Sequence, residues 1–225
     1  MRVIMDTQKQ ISDAINFRFA CKEFDTKRKI SDRDFNLILE AGRLSPSSFG
    51  MEPWKFLVVQ KPAVREKIRE FSWGAQKQLA TASHYVILLA RTATDVRFDS
   101  AYIRETMGDL QKSPPDVIEK RILRFKHFQE DHYKLSSDRA LADWARMQVY
   151  IVLGYMLMTA SLLQIDSCPI EGFNREKVES ILAEDNLLNR NHFDIACMVA
   201  FGYRVNEPIE PKTRRSLEQI TEWVK

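Results

Sequence analysis

The chain has 225 residues, enough to bury a sizeable core in one domain, and its 34 Lys and Arg against 31 Asp and Glu leave a net charge of +3. Both signs are mixed along the chain with no long block of either, which argues against a nucleic-acid protein. The three cysteines, Cys21, Cys168 and Cys197, lie far apart and form no CxxC pair, so a disulfide framework and a zinc ribbon are disfavoured and a reducing compartment is implied.

The amino-terminal stretch carries Arg2, then Asp6, Lys9 and Asp13, and offers no apolar core of a signal peptide. Within Thr7–Phe17, the residues Ile11, Ala14 and Ile15 share one stripe and predict a first helix. Ser31, with Asp34 three residues on, opens a second helix, along which Phe35, Ile38, Leu39 and Gly42 recur at the helical period. Residues 54–60 predict a strand, and Pro62 fits the first turn of a helix ending near Phe71. The unbroken run Tyr85-Val86-Ile87-Leu88-Leu89-Ala90 predicts a buried strand over His84–Arg91.

Between residues 99 and 132 the composition turns charged, and Pro114-Pro115 divides it into two helical pieces. The segment 95–135 is therefore expected to be a helical excursion on the surface, one that would lie over an active site if the domain carries one. Core aromatics are less expected in such a piece, which makes Phe125 and Phe128 candidates to close a lid over a flat substrate. Asp138 is a candidate cap for a helix over 139–163 that turns apolar on all sides after Gln148, as does a helix buried all round in the core of a domain or of a dimer. Its most hydrophobic part is about 15 residues long, short of the roughly 20 that a bilayer core requires, and a soluble, cytoplasmic protein is expected.

A loop over 169–173, a helix near 176–183 and a strand over 193–203 follow; in the strand Ile195, Cys197, Val199 and Phe201 alternate with smaller residues. Residues 204–225, with Pro208 and Pro211, predict an extended arm and a short helix whose Leu217, Ile220 and Trp223 need something to pack on, such as a second subunit. There is no internal repeat, and residues 1–225 are expected to form one domain.

The seven glycines are too scattered for a dinucleotide-binding turn or a P-loop, so a bound phosphate would be held largely by side chains. Two basic clusters offer them, Arg18-Phe19-Ala20-Cys21-Lys22 just past a helix end and Lys212-Thr213-Arg214-Arg215 after a proline arm. Each has a plainer reading, the first as charge complementing a helix C-terminus and the second as a solvated run. With the hydroxyls of Ser45-Pro46-Ser47-Ser48 they are able to converge on one dianionic phosphate. The loop Pro169-Ile170-Glu171-Gly172-Phe173 is either an ordinary turn or a presenter of backbone N–H groups to a ring. The four histidines make no metal-ligand spacing, no carboxylate pair stands out and GxSxG is missing, which disfavours metal hydrolysis and acyl transfer.

In order and spacing, Arg18 to Lys22, Ser45-Pro46-Ser47-Ser48 with Glu52-Pro53-Trp54, Ala82-Ser83-His84, Gln148-Val149-Tyr150, Pro169 to Phe173 and Pro211-Lys212-Thr213-Arg214 resemble the FMN-dependent NAD(P)H nitroreductase family, close to its bacterial oxygen-insensitive type. The resemblance covers almost the whole chain. It implies an α+β sandwich, with a central, mainly antiparallel sheet packed with helices, in an interlocked homodimer that holds FMN at its interface and takes electrons from NADH or NADPH. It implies that Arg18, Lys212 and Arg214 hold the phosphate and that Pro46, Ser47 and Ser48 line the flavin of the other subunit. Lys22 and Gln78 would face the pyrimidine edge. Pro169, Ile170, Glu171 and Gly172 would border the ring, with the backbone N–H groups of Glu171 and Gly172 near its reactive nitrogen.

Phe19, Ala20 and Gly50 fall among the cofactor-binding positions while departing from the commoner pattern. Phe19 and Ala20 stand where His and Ser are frequent, which removes a hydroxyl contact to the phosphate; Phe49 and Gly50 stand where a polar pair is usual. Ala75 and Gln78 stand in place of an Asn and a Lys, and Lys77 is an alternative to Gln78 at the ring. The implied activity is ping-pong reduction of nitroaromatics, quinones or similar flat acceptors, with no side chain strictly required as acid or base and no metal. The alternatives are reduction of an enone or halogenated ring on the same scaffold, remodelling of the flavin itself, a flavin-holding regulatory or storage protein without turnover, and a helical interaction module with a basic tail.

Overall fold

The computed structural model describes residues 6–225, so Arg2 lies outside the described residues. Four strands, β1 (Trp54–Val58), β2 (His84–Arg91), β3 (Asp166–Ile170) and β4 (Phe193–Gly202), form one antiparallel sheet in the order β1-β2-β4-β3. Around it run α1 (Thr7–Phe17), α2 (Asp32–Arg43), α3 (Pro62–Glu70), α4 (Gln76–Thr81), α5 (Ala93–Val96), α6 (Ala101–Glu105), α7 (Pro115–His127), α8 (Asp138–Leu162), α9 (Arg175–Glu184) and α10 (Leu217–Ile220). The fold is α+β, with helices on both faces of the sheet.

The two central strands are apolar throughout because both faces are covered. Alternation along β2 sends Val86, Leu88 and Ala90 to a core shared with α2, α6, α7 and α8. It sends Tyr85, Ile87 and Leu89 to a second core, under α3, α4 and α9. Leu88 pairs with Cys197 and Leu89 with Ile195, leaving Ala196 as the extra residue of a bulge that puts Ala196 and Cys197 on one face. Among the described residues no helix is long and apolar enough to cross a membrane.

Several sequence expectations are corrected in detail. The cap of α8 is Ser137, whose side chain accepts from the N–H of Ala140, and Asp138 is instead an acid in the first turn, where the helix dipole favours it. Within one chain α8 leaves Met147, Tyr150, Ile151, Tyr155 and Leu162 exposed along one face, which corrects burial all round in the core of a single domain. β1 stops at Val58, two residues early, and Gln60 turns its side chain to the carbonyl of Ser83. β3 and α4 were not anticipated, and Pro169 and Ile170 end a strand rather than begin a loop. Proline is tolerated there because β3 is an edge of the sheet.

The excursion divides at Pro114-Pro115 as its sequence requires, and α6 and α7 each run on into a π-helical turn, at Thr106–Leu110 and Phe128–His132. It is more than a surface feature. Ile103, Met107, Ile122 and Phe125 are buried in the first core, and buried Gln129 ties the segment down by donating to the carbonyl of Val96 and accepting from the N–H of Phe98.

One ion pair ties the end of α1 to the start of the carboxy-terminal arm. Arg204, just past β4, meets buried Asp166 at the start of β3 at 2.7 Å, donates to the carbonyl of Phe17 at 3.0 Å, and lies over the rings of Phe17 and Phe19 at 4.3 and 4.4 Å. The end of α1 is thereby fixed against the sheet edge where the carboxy-terminal arm departs.

Candidate cofactor site

The arm returns to α1 through Lys212, whose ammonium donates to the carbonyls of Ile15 and Asn16 and so satisfies the free C-terminal end of that helix. Arg18 is the C-cap of the same helix. The Lys212 ammonium is held below the usual lysine range, first by loss of water and then by the nearby guanidinium groups of Arg18, Arg214 and Arg204. Arg204 is neutralised by Asp166 and Glu207, whereas Arg18 and Lys212 have no carboxylate partner among the described residues, and Arg214 donates only to the carbonyl of Thr213. Cations from the two ends of the chain thus gather with no acid to balance them, an arrangement that an anion relieves.

Beyond Arg18 the chain runs beside β3: Ala20 bridges Ser167, and the N–H of Cys21 donates to the carbonyl of Ser167 at 3.1 Å. Phe19, with Arg204 over its ring, packs against the second core. Lys22 comes next and reaches the buried thiol of Cys168, with Nζ 3.7 Å from Sγ. Gln78, buried on α4, reaches the same sulfur at 3.6 Å and also donates to the carbonyl of Gly74 at 3.2 Å. Lys77 turns outward to Glu23 at 2.7 Å, so Gln78 is the α4 side chain beside Lys22.

Past Ile170 the backbone of Gly172 lies directly on that of Gly74, whose N–H donates to the Gly172 carbonyl at 2.7 Å. A Cβ on Gly172 would stand 2.8 Å from the Gly74 Cα, and one on Gly74 would stand 2.9 Å from the Gly172 Cα, so neither position admits a side chain. The Glu171 carboxylate accepts a short hydrogen bond from the Tyr150 phenol on α8, and burial followed by this bond raises the tyrosine well above its usual range.

Pro46, Ser47 and Ser48 sit elsewhere, in the turn after α2. The Ser47 hydroxyl accepts from the N–H of Glu52 at 2.9 Å, and the N–H of Ser48 donates to Gln148 of α8 at 2.9 Å. Phe49, Gly50 and Glu52 all have positive φ, at 58, 66 and 47 degrees, a conformation costly for a bulky residue. The excursion holds the turn in place, with Gln111 donating to the carbonyls of Phe49 and Gly50 and Tyr102 to those of Met51 and Glu52. No hydrogen bond or ion pair among the described residues joins this turn to the Arg18 and Lys212 cluster.

The expectation that Phe125 lies open at a lid is corrected: its ring is fully buried against Phe49 at 4.7 Å and Trp144 at 5.9 Å. Phe128 is half-buried and, with Phe49, borders an open cleft of about 500 Å³ on the excursion. Among the described residues no group of three or more His, Cys, Asp or Glu side chains is placed to hold a metal.

Sequence reading brought Arg18, Lys22, Gln78, Glu171, Gly172, Lys212 and Arg214 to attention and missed Gly74, Cys168 and Tyr150. Tyr150 lay inside a quoted motif without a role. Gly74 and Cys168 matter through contacts distant in sequence, and nothing local marks them.

An antiparallel α+β sandwich with an unbalanced cationic cluster at its joined chain ends is the class these observations define. The chain belongs to the Nitroreductase family, whose model matches residues 15–203. It is 53% identical over 97% of its length to "Putative NAD(P)H nitroreductase YfkO" of Bacillus subtilis (strain 168), covering 99% of that protein. Among solved structures it is similar to a family member from Exiguobacterium sibiricum 255-15 in complex with FMN, with a TM-score of 0.74 at 20% identity over 95% of this chain and 97% of that one. It is also similar to CLA-ER, an enone reductase of gut-bacterial fatty acid saturation, with a TM-score of 0.74 at 19% identity over 96% of this chain and 98% of that one.

Proposed function

We propose that the protein is an FMN-dependent oxidoreductase that uses NADH or NADPH to reduce nitroaromatics, quinones or similar flat acceptors, acting in the cytoplasm as a homodimer in which each chain is one FMN-binding domain. The observation that carries this reading is the gathering of Arg18, Lys212 and Arg214, with no balancing carboxylate, where the two ends of the chain meet. The fit extends along the sheet edge. Lys22 and Gln78 offer a charge and an amide donor, and the Gly74–Gly172 contact leaves a stretch of backbone without side chains. Both suit a flat ring with a phosphate tail.

In this reading Arg18, Lys212 and Arg214 bind the phosphate by charge-assisted hydrogen bonds, and Lys22 and Gln78 orient the pyrimidine edge. The Pro46 to Ser48 turn lines the cofactor site of the other subunit, and the excursion, through Phe128 and the cleft beside Phe49, shapes the space for the acceptor. Bound FMN supplies the relay of two electrons from nicotinamide to acceptor. The protein's own contribution is position and charge, with donor and acceptor using the same space in turn.

The test is an absorption spectrum of the purified protein before and after NADH or NADPH is added without air, followed by turnover with a nitroaromatic and a quinone. A yellow protein that bleaches at once and recovers with acceptor supports the reading. A yellow protein that never bleaches would point to flavin storage, and a colourless one unable to bind added FMN would end it. The likeness to CLA-ER favours a second reading, reduction of an enone, and the acceptor panel includes one for that reason.

A further inference from the structure

We propose that Cys168 is a positioning residue that fixes Lys22 and Gln78 against the flavin and so sets the potential of the cofactor; this rests on the reading above. The thiol is fully buried on β3, three residues before Glu171. Its Sγ accepts from Lys22 Nζ at 3.7 Å and from Gln78 Nε2 at 3.6 Å, and donates to the carbonyl of Pro169 at 3.5 Å. One small side chain therefore joins three separate elements: the segment after α1, helix α4 and the strand that leads into the Glu171-Gly172 turn.

The need for such a hub follows from what each partner lacks. Lys22 is exposed and meets no carboxylate among the described residues; the sulfur is the contact that gives its long flexible stem a direction. Gln78 is buried, and its amide nitrogen divides its two protons between the Gly74 carbonyl and the same sulfur. A thiol suits the position because its large sulfur reaches both nitrogens while its single proton goes to Pro169. A valine of similar bulk has no lone pair, and a serine hydroxyl is too short to touch both donors.

The functional consequence is electrostatic. A fixed positive charge at the pyrimidine edge favours the reduced, negatively charged form of the cofactor over the oxidised form, and a wandering one favours it less. Loosening Lys22 and Gln78 therefore lowers the potential even where overall stability is kept. Cys168 does no thiol chemistry in this role.

The experiment measures the two-electron midpoint potential, the FMN dissociation constant and the thermal midpoint for the wild type, Cys168→Val, Cys168→Ser, Lys22→Met and the Lys22→Met, Cys168→Val double variant. We expect Cys168→Val to change the preference for reduced over oxidised FMN about tenfold, which is about 30 mV downward for a two-electron couple. Cys168→Ser should change it about threefold. In the Lys22→Met background Cys168→Val should add less than a twofold change, because the charge it positioned is gone. A merely structural role moves the thermal midpoint and leaves the potential alone. Wild-type potentials in both Cys168 variants, or a valine effect as large in the Lys22→Met background as in the wild type, overturn the proposal. If the valine variant does not fold, the serine variant decides by the same criterion. A wild-type protein that takes up no FMN would instead end the functional reading on which this rests.

Discussion

The cationic cluster at the chain ends costs the protein something on its own. Lys212 is held below the usual lysine range first by loss of water and then by Arg18 and Arg214, a repulsion that a bound dianion turns into attraction. Replacing Arg18 or Arg214 with Ala is expected to weaken FMN retention by about 1.5–3 kcal/mol each, the range for a hydrogen bond to a charged group. Equilibrium titration of the apoprotein reads this directly, and unchanged affinity in both variants removes the phosphate assignment. The buried thiols set a different limit. Cys197 on β4 is pushed from 9.0 to about 12, chiefly by burial. Because the folded state keeps a proton that the unfolded state releases above pH 9, stability falls as pH rises from 9 toward 12. The slope is on the order of 1.4 kcal/mol per pH unit for this group. Urea midpoints at pH 8, 9 and 10 should show a steeper alkaline loss in the wild type than in Cys197→Ala, and parallel curves would refute it.

At the scale of elements, the contact between the turn after β3 and the segment before α4 leaves no room for a methyl group. Gly172→Ala or Gly74→Ala drives a Cβ to within 3 Å of facing backbone, which cannot swing aside as a flexible side chain would. Each should cost about 1–3 kcal/mol of stability, the range for overpacking, and release FMN with it. Full FMN occupancy in a thermally unaltered Gly172→Ala protein would show that the turn has slack. Neither partner in this contact advertises the other, since Gly74 and Gly172 are joined only by the fold. The same holds for Cys168, which lies 146 residues from Lys22 and 90 from Gln78. By contrast α1, α2, α8 and β2 were legible because an apolar period or an unbroken apolar run carries its own geometry. β3 was not, since Asp166-Ser167-Cys168-Pro169-Ile170 has neither alternation nor a run, and its proline is acceptable only at a sheet edge. Short, polar α4 gave no signal for similar reasons. Phe125 was misjudged because a charged neighbourhood in sequence hid a helix face turned to the core.

For the whole molecule, the exposed apolar face of α8 is the feature that calls for a partner. Tyr150, Ile151 and Tyr155 are each at least 37% exposed, Ile11 and Ile15 of α1 add to the apolar surface, and the arm ends in Trp223 with 80% of its surface open. A stable monomer rarely leaves so much large apolar surface to water, and in the proposed homodimer a second copy of the chain would cover it. The consequence goes beyond assembly, because the Pro46 to Ser48 turn has no bond to the Arg18 and Lys212 cluster among the described residues of one chain. A site that needs both is complete only when two chains meet. Ile151→Asp, which would bury an unpaired carboxylate if this face is the proposed dimer interface, is therefore expected to shift the mass in sedimentation from twice 26.3 kDa toward 26.3 kDa. FMN should be lost over the same concentration range in which the dimer dissociates, with the far-ultraviolet dichroism of each chain preserved. A monomeric Ile151→Asp protein that keeps its flavin would mean that one chain holds the whole site, and the turn after α2 would then need another role.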